Sequence, residues 1–236
     1  MSEYELEIRR LADPTDMHNV VTVFQQVWGS GTPIVGVELL RAISHSGGYV
    51  AGAFESGSIV GASFGFLAEH AGERALHSHV TGILPGVQHS GVGRAMKHHQ
   101  RAWAIEHSIR WITWTFDPLV RRNAWFNLGV LGVEIAEYLV DFYGPMSDVI
   151  NANDTSDRLL VAWSTRDPIQ PRGPADDDDL VEVPTPDDIV ALRRTDPAAA
   201  AEWRRRQRAE LEPLINSGGT IVGMTRAGDY QIRPAP

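Results

Sequence analysis

The sequence predicts an α/β chain of the mixed α+β kind, and three observations carry that prediction. Strand-length runs of alternating polarity interchange with longer stretches whose apolar residues recur every three or four positions. A glycine-rich turn, Gln88-His89-Ser90-Gly91-Val92-Gly93, joins a strand-like run to a helix-like one. A proline- and aspartate-rich stretch then separates this body from a tail of 50 residues.

The elements follow in order. Tyr4 to Leu11 alternates as a strand and ends at Asp13-Pro14. Asp16 is the expected cap of a helix through Trp28, with Val20, Val23, Phe24 and Val27 on one face. A short helix from Val37 to Ser44 stops at Ser46-Gly47-Gly48. Tyr49 to Phe54 and Ser58 to Phe66 read as a hairpin about Glu55-Ser56-Gly57, and Leu76 to Leu84 is the strand that enters the glycine turn. The helix after the turn, through His107, is expected to bury Met96, Ala102 and Ile105 and to turn Lys97 and Arg101 outward. Trp111 to Phe116 is a strand, Val120 to Leu131 a helix, and Ile135 to Phe142 and Leu159 to Trp163 two further strands.

These elements assign residues 1–165 to one domain. Residues 166–186, with five prolines and the run Asp176 to Asp179, form a linker. Residues 187–236 form an extension of two helices (Asp187 to Arg194, Ala198 to Leu211) and a hairpin (Thr220 to Thr225, Tyr230 to Arg233). An extension this small is expected to pack on the main domain or on a partner subunit, which admits a homodimer.

Composition narrows the function. The formal net charge of −9 argues against a dedicated nucleic-acid binder. The arginines in Trp203-Arg204-Arg205-Arg206-Gln207-Arg208 are expected to spread around a solvated helix, balanced by Glu202, Glu210 and Glu212. No cysteine is present, which removes disulfides, thiolate zinc sites and a cysteine nucleophile. The N-terminus lacks an apolar targeting core and no run of about 18 apolar residues occurs, so a soluble cytoplasmic protein with no membrane partner is expected.

A glycine turn between a strand and a helix start presents unpaired backbone N–H groups where the helix dipole is positive, a site suited to phosphate. A P-loop needs a lysine and a hydroxyl after its last glycine, and here Arg94-Ala95 follow Gly93. A dinucleotide loop needs a third glycine where Met96 stands. The remaining pattern is Gln/Arg-x-x-Gly-x-Gly, with Gln88, Gly91 and Gly93 in place after Ile83-Leu84-Pro85-Gly86-Val87. This resembles the acyl-CoA-binding motif of the GNAT (GCN5-related N-acetyltransferase) superfamily, and the element order over residues 4–164 is similar as well.

The resemblance implies a central mixed, mostly antiparallel sheet, splayed at an acyl-CoA groove and flanked by helices. It implies transfer of an acyl group from acetyl-CoA or another acyl-CoA to a small-molecule or peptide amine, by direct attack in a ternary complex. The implied coenzyme contacts are the Ile83 region, Gln88, His89, Ser90, Gly91, Val92, Gly93 and Arg94. The acidic base that such proteins often carry on the strand before the loop is absent; that strand holds His77, Ser78 and His79, with the two histidines on one face. His79 is therefore the candidate base, and Asp117 a second, which equally suits a helix N-cap. Anchoring the late-helix motif on Ala124 and Gly132 puts Arg121 at the usual asparagine and Leu128 at the usual thiol-protonating tyrosine. Asn123 and Tyr143 are the substitutes expected for these. No set of metal ligands is visible. A non-catalytic acyl-CoA sensor is the alternative, favoured by the two missing groups.

Overall fold

The computed structural model describes residues 6–88, 90–144, 154–177 and 179–236, and the chain forms two compact units. The first takes residues 1–113 with 164–166, the second residues 114–163 with 167–236. Composition places divisions at 165 and 186; by compactness, the extension shares a unit with residues 114–163.

In the first unit the elements are β1 (Leu6–Arg10), α1 (Pro14–Trp28), α2 (Val37–His45), β2 (Tyr49–Glu55), β3 (Ser58–His70), β4 (Glu73–Ile83), α3 (Val92–Glu106) and the start of β5 (Trp111–Phe116). Tyr4 and Glu5 of the expected first strand lie outside the described residues. Helix α1 starts earlier than expected, with Pro14 in its first turn and Asp16 inside that turn. Strands β1 to β4 pair antiparallel in sequence order, and β4 pairs parallel with β5. Met17, Val20, Val23 and Phe24 of α1 pack with Leu40 and Ile43 of α2 on Val50, Phe54 and Phe64 of the sheet. The β3–β4 ladder runs from Gly61↔Ile83 to His70↔Glu73, longer than the sequence suggested, and contains one bulge. Phe64 pairs with Val80 and Gly65 with Ser78, which leaves His79 as the extra residue. Gly65 is required opposite the bulge, because a Cβ there would lie 2.6 Å from the His77 carbonyl oxygen.

Helix α3 buries a different face from the one expected. Val92, Met96, Lys97, Gln100, Trp103 and Ala104 are buried, while Ile105 is 49% exposed. Two polar residues interrupt the apolar stripe of the buried face, so hydrophobic periodicity pointed to the wrong side.

The second unit holds the end of β5, α4 (Arg121–Trp125) continuing into a π-helical turn (Phe126–Val130), β6 (Glu134–Leu139), β7 (Arg158–Ser164, up to Trp163), β8 (Val181–Val183), α5 (Ile189–Thr195), α6 (Pro197–Asn216), β9 (Thr220–Met224) and β10 (Tyr230–Arg233). Strand β8 rises from the stretch expected to be linker and pairs with β10, which also pairs with β9. Asp188 and Asp196 cap α5 and α6 by accepting from the Ala191 and Ala199 amides.

Buried charge ties the extension to residues 117–158. Arg204 of α6 makes a two-pronged bond to Asp117 at 2.8 and 2.9 Å, and Arg193 of α5 reaches the same carboxylate at 2.5 Å. Asp154 accepts from both arginines, at 3.0 and 2.9 Å. Arg208 bonds Asp157, which also accepts from the Tyr138 hydroxyl at 2.7 Å. Arg204 was expected on a solvated face and is instead 2% exposed; the solvated arginines are Arg205 and Arg206, paired along the helix with Glu202 and Glu210.

The arginines hold the Asp117 carboxyl well below the ordinary carboxylate range, although burial alone would raise it. Its stabilisation is therefore full above the ordinary carboxylate value and is lost as pH falls toward the depressed one. Asp117→Ala, which leaves two buried guanidinium groups to share the Asp154 carboxylate, is expected to destabilise this unit by about 3–5 kcal/mol in urea unfolding at neutral pH. Glu202→Ala, at an exposed pair, is expected to change it by less than about 1 kcal/mol.

Candidate functional site

The glycine turn leaves the start of α3 open. Gly91 takes the N-cap position of α3 with φ of 90° and has no side chain with which to cap it. No acidic residue lies in the first turn of α3, so nothing on the helix competes with an incoming anion. The turn is held from within: Gln88 Nε2 donates to the Ile83 carbonyl at 3.2 Å, and Ser90 Oγ to the Val87 carbonyl at 2.6 Å. A Cβ at Gly91 would meet nothing within 4 Å, so the space before the helix is open. Arg94 is exposed in the first turn, and His89 lies outside the described residues.

Strand β4 leads into this turn. Its parallel ladder with β5 includes Ala75↔Trp111, Leu76↔Ile112 and His77↔Thr113, and on the β3 side it stays paired to Ile83.

Each face of β4 carries a polar group at the bulge. On the α1 face, the His79 ring packs on Phe64 and Phe66 at 5.4 and 5.7 Å, and the His77 ring lies 6.0 Å from it. His77 Nδ1 is 3.1 Å from Thr113 Oγ1. Burial lowers both histidines below their ordinary value; His77, further depressed by His79 and Lys97, comes to about 4. Both rings are therefore neutral at pH 7, the form that accepts a proton. On the α3 face, Lys97 Nζ donates to Ser78 Oγ at 2.9 Å and to Gln100 Oε1 at 3.4 Å. Burial pushes the Lys97 ammonium down to about 7.

Sequence reasoning missed Lys97, Ser78 and Gln100. The signal that could have found them is the spacing of Lys97 and Gln100 with Met96 and Trp103 on one turn-repeating face of α3.

The remaining candidates stand in the second unit. Asp117 is committed to Arg193 and Arg204, and its carboxylate also accepts from the Leu119 amide at 2.9 Å, the capping alternative. A carboxylate held that far down is a poor proton acceptor. Tyr143 lies in the turn beyond β6; its hydroxyl is 3.1 Å from Thr115 Oγ1 and its ring faces Arg158 at 5.5 Å. Asn123 is exposed, whereas Asn127, one turn on, is buried and accepts from Trp114 Nε1 at 3.1 Å. Among the described residues no cluster of three or more His, Asp or Glu converges as metal ligands, and no helix is long and apolar enough to cross a membrane.

No protein-family model and no curated protein matches the sequence. Solved structures match the fold. Naa20 of Chaetomium thermophilum in complex with a bisubstrate analogue aligns at a TM-score of 0.55 and 15% identity, over 67% of this chain and 86% of that one. Naa50 of Arabidopsis thaliana in complex with the bisubstrate analogue CoA-Ac-MVNAL aligns at 0.52 and 17% identity, over 67% and 98%. An acetyltransferase of the GNAT family from Streptococcus pneumoniae aligns at 0.51 and 16% identity, over 68% and 99%. At these identities the likeness establishes architecture: the chain has the GNAT fold, with the mixed, mostly antiparallel sheet that the sequence predicts.

Lys97 supplies a test of the site's electrostatics. With its pKa lowered on folding, the folded protein holds the proton less well than the unfolded chain between pH 7 and the ordinary lysine value. Its unfavourable contribution is full below pH 7 and fades as pH rises through that window. Lys97→Met is therefore expected to raise the thermal midpoint relative to the parent, and by more at pH 6 than at pH 10.

Proposed function

We propose that the chain is an acyl-CoA-dependent N-acyltransferase, with acetyl-CoA as donor and a small-molecule or peptide amine as acceptor. The observation that carries this reading is the start of α3 at Gly91, with no acidic residue in its first turn, directly after β4. Of the loop amides from Gln88 to Arg94, those of Gly91 to Arg94 would hold the pyrophosphate, since the Ser90 amide donates to the Val87 carbonyl at 3.3 Å, and His89 and Arg94 are the further contacts that the resemblance implies. The peptide-like pantetheine arm would run along β4. The turn is kept in shape by Gln88, and a main-chain N–H in the Ile83 region would polarise the thioester carbonyl.

The transfer is direct. The attacking amine must be neutral, and His79 would take its proton; the depressed pKa keeps the ring unprotonated across the physiological range. Asp117 is left out of this chemistry because two arginines occupy its carboxylate. Tyr143 and Asn123 enter only as candidates for groups around the acyl end, supported by the late-helix pattern.

Calorimetry with coenzyme A is expected to show binding that Gly91→Val weakens by at least about tenfold, because a β-branched residue is strained at φ of 90°. Incubation with acetyl-CoA and a panel of amines, followed by thiol release, is expected to show turnover that His79→Ala lowers by about 10²- to 10⁴-fold. The acid limb of kcat/KM is expected below the usual histidine range. Binding without turnover across the panel would favour the sensor, a reading supported by Leu128 at the usual tyrosine position.

A further inference from the structure

The bulge in β4 lies between two contacts with one helix. Before it, Ser78 Oγ accepts from Lys97 Nζ of α3 at 2.9 Å; after it, Ile83 packs with Val92 and Met96 of the same helix. Ser78 and Ile83 are an odd number of residues apart, so strict alternation would send them to opposite faces of the sheet. The extra residue, His79, reverses the phase between them, and His79 and Val80 both turn toward the α1 face. Lys97, Ser78 and Gln100 are all buried, and Gln100 Oε1 receives a second Lys97 contact at 3.4 Å.

We propose that Lys97 is a positioning residue: by gripping Ser78 it fixes the bulge at His79 and keeps the His79 ring on the face where it meets the acceptor amine, which rests on the reading of His79 as the base. A bulge slides along its strand unless something specifies its place, and a one-residue slip turns a displaced side chain to the other face. With Ser78 as the extra residue, His79 would stand opposite Gly65 and turn toward α3, off Phe64 and Phe66. The Lys97 bond holds Ser78 in that place and opposes the slip. Gly65 permits the bulge, since its missing side chain leaves room for the His77 carbonyl, but it does not choose between neighbouring positions.

The contact suits a geometric role better than a stabilising one. Lys97 is 6% exposed, and burial disfavours its charged form. A buried polar contact of this kind specifies one arrangement among near alternatives at some cost in stability. On the near side of Ser78, His77 is tied to Thr113 Oγ1 at 3.1 Å, so the strand enters the bulge from a fixed position. Stability and positioning are thereby separable: removing the ammonium is expected to raise the first and loosen the second.

The test reads the ring directly. Nuclear Overhauser cross-peaks from the His79 ring to the Phe64 and Phe66 rings are recorded for the parent, Ser78→Ala, Lys97→Met and the double variant. The parent is expected to show them and each variant to lose them. Lys97→Met is expected to lose them although it melts higher than the parent, which a merely stabilising contact would not do. In turnover of acetyl-CoA, kcat is expected to fall about ten- to a hundredfold with KM for acetyl-CoA unchanged, because the Gly91 turn is untouched. The double variant is expected to be no slower than either single one, as both act through one bond. Ser78→Ala deletes only a hydroxyl, keeps the lysine, and decides the matter should Lys97→Met fail to fold. Full cross-peaks in folded Ser78→Ala would overturn the clamp, whatever the activity. Lost cross-peaks together with turnover that His79→Ala leaves unchanged would overturn the base assignment and leave the clamp standing.

Discussion

Much of the first unit depends on β4, which pairs antiparallel with β3 from His70↔Glu73 to Gly61↔Ile83 and parallel with β5 from Ala75 to His77. Toward β3 the ladder is continuous except at the His79 bulge. The strand also runs straight into the Gly91 turn, so the same segment fixes where α3 begins. The bulge turns His79 to one face, and the residue before it meets Lys97 on the other.

Burial tunes the proton chemistry of the first unit in one direction. His77, His79 and Lys97 all lose affinity for protons, since removing a charged group from water disfavours its charged form. The outcome differs with the starting value. The histidines become neutral acceptors at pH 7, while the lysine is brought from far above neutrality to a range in which it exchanges protons.

Charge is used otherwise in the second unit. Arg193 and Arg204 converge on Asp117 and Asp154, and Arg208 on Asp157, so that α5 and α6 are fixed to residues 117–158 by fully or partly buried ion pairs. Such pairs confer geometry more than net stability, because desolvation offsets much of their attraction. They explain why the extension is not a separate appendage: its arginines are the counter-charges of carboxylates earlier in the chain. Asp117, legible in sequence as a polar residue at a strand end, becomes a structural hub once those arginines arrive.

Local rules sufficed for much of this protein. The alternation of the strands, the apolar face of α1 and the Gln88-x-x-Gly91-x-Gly93 turn are short-range features, so the GNAT-like order and the glycine turn that opens α3 could be read from sequence alone. His79 was legible by its spacing from His77, which the bulge preserves. Lys97 and Arg204 were misplaced as surface residues, because a charged side chain is solvated by default unless a distant partner awaits it. Those partners, Ser78 19 positions away and Asp117 87 positions away, are brought near only by tertiary folding. Sequence by itself determined the elements and the phosphate-suited turn, while the tertiary structure decided which charges are buried, since burial depends on contacts that no local pattern encodes.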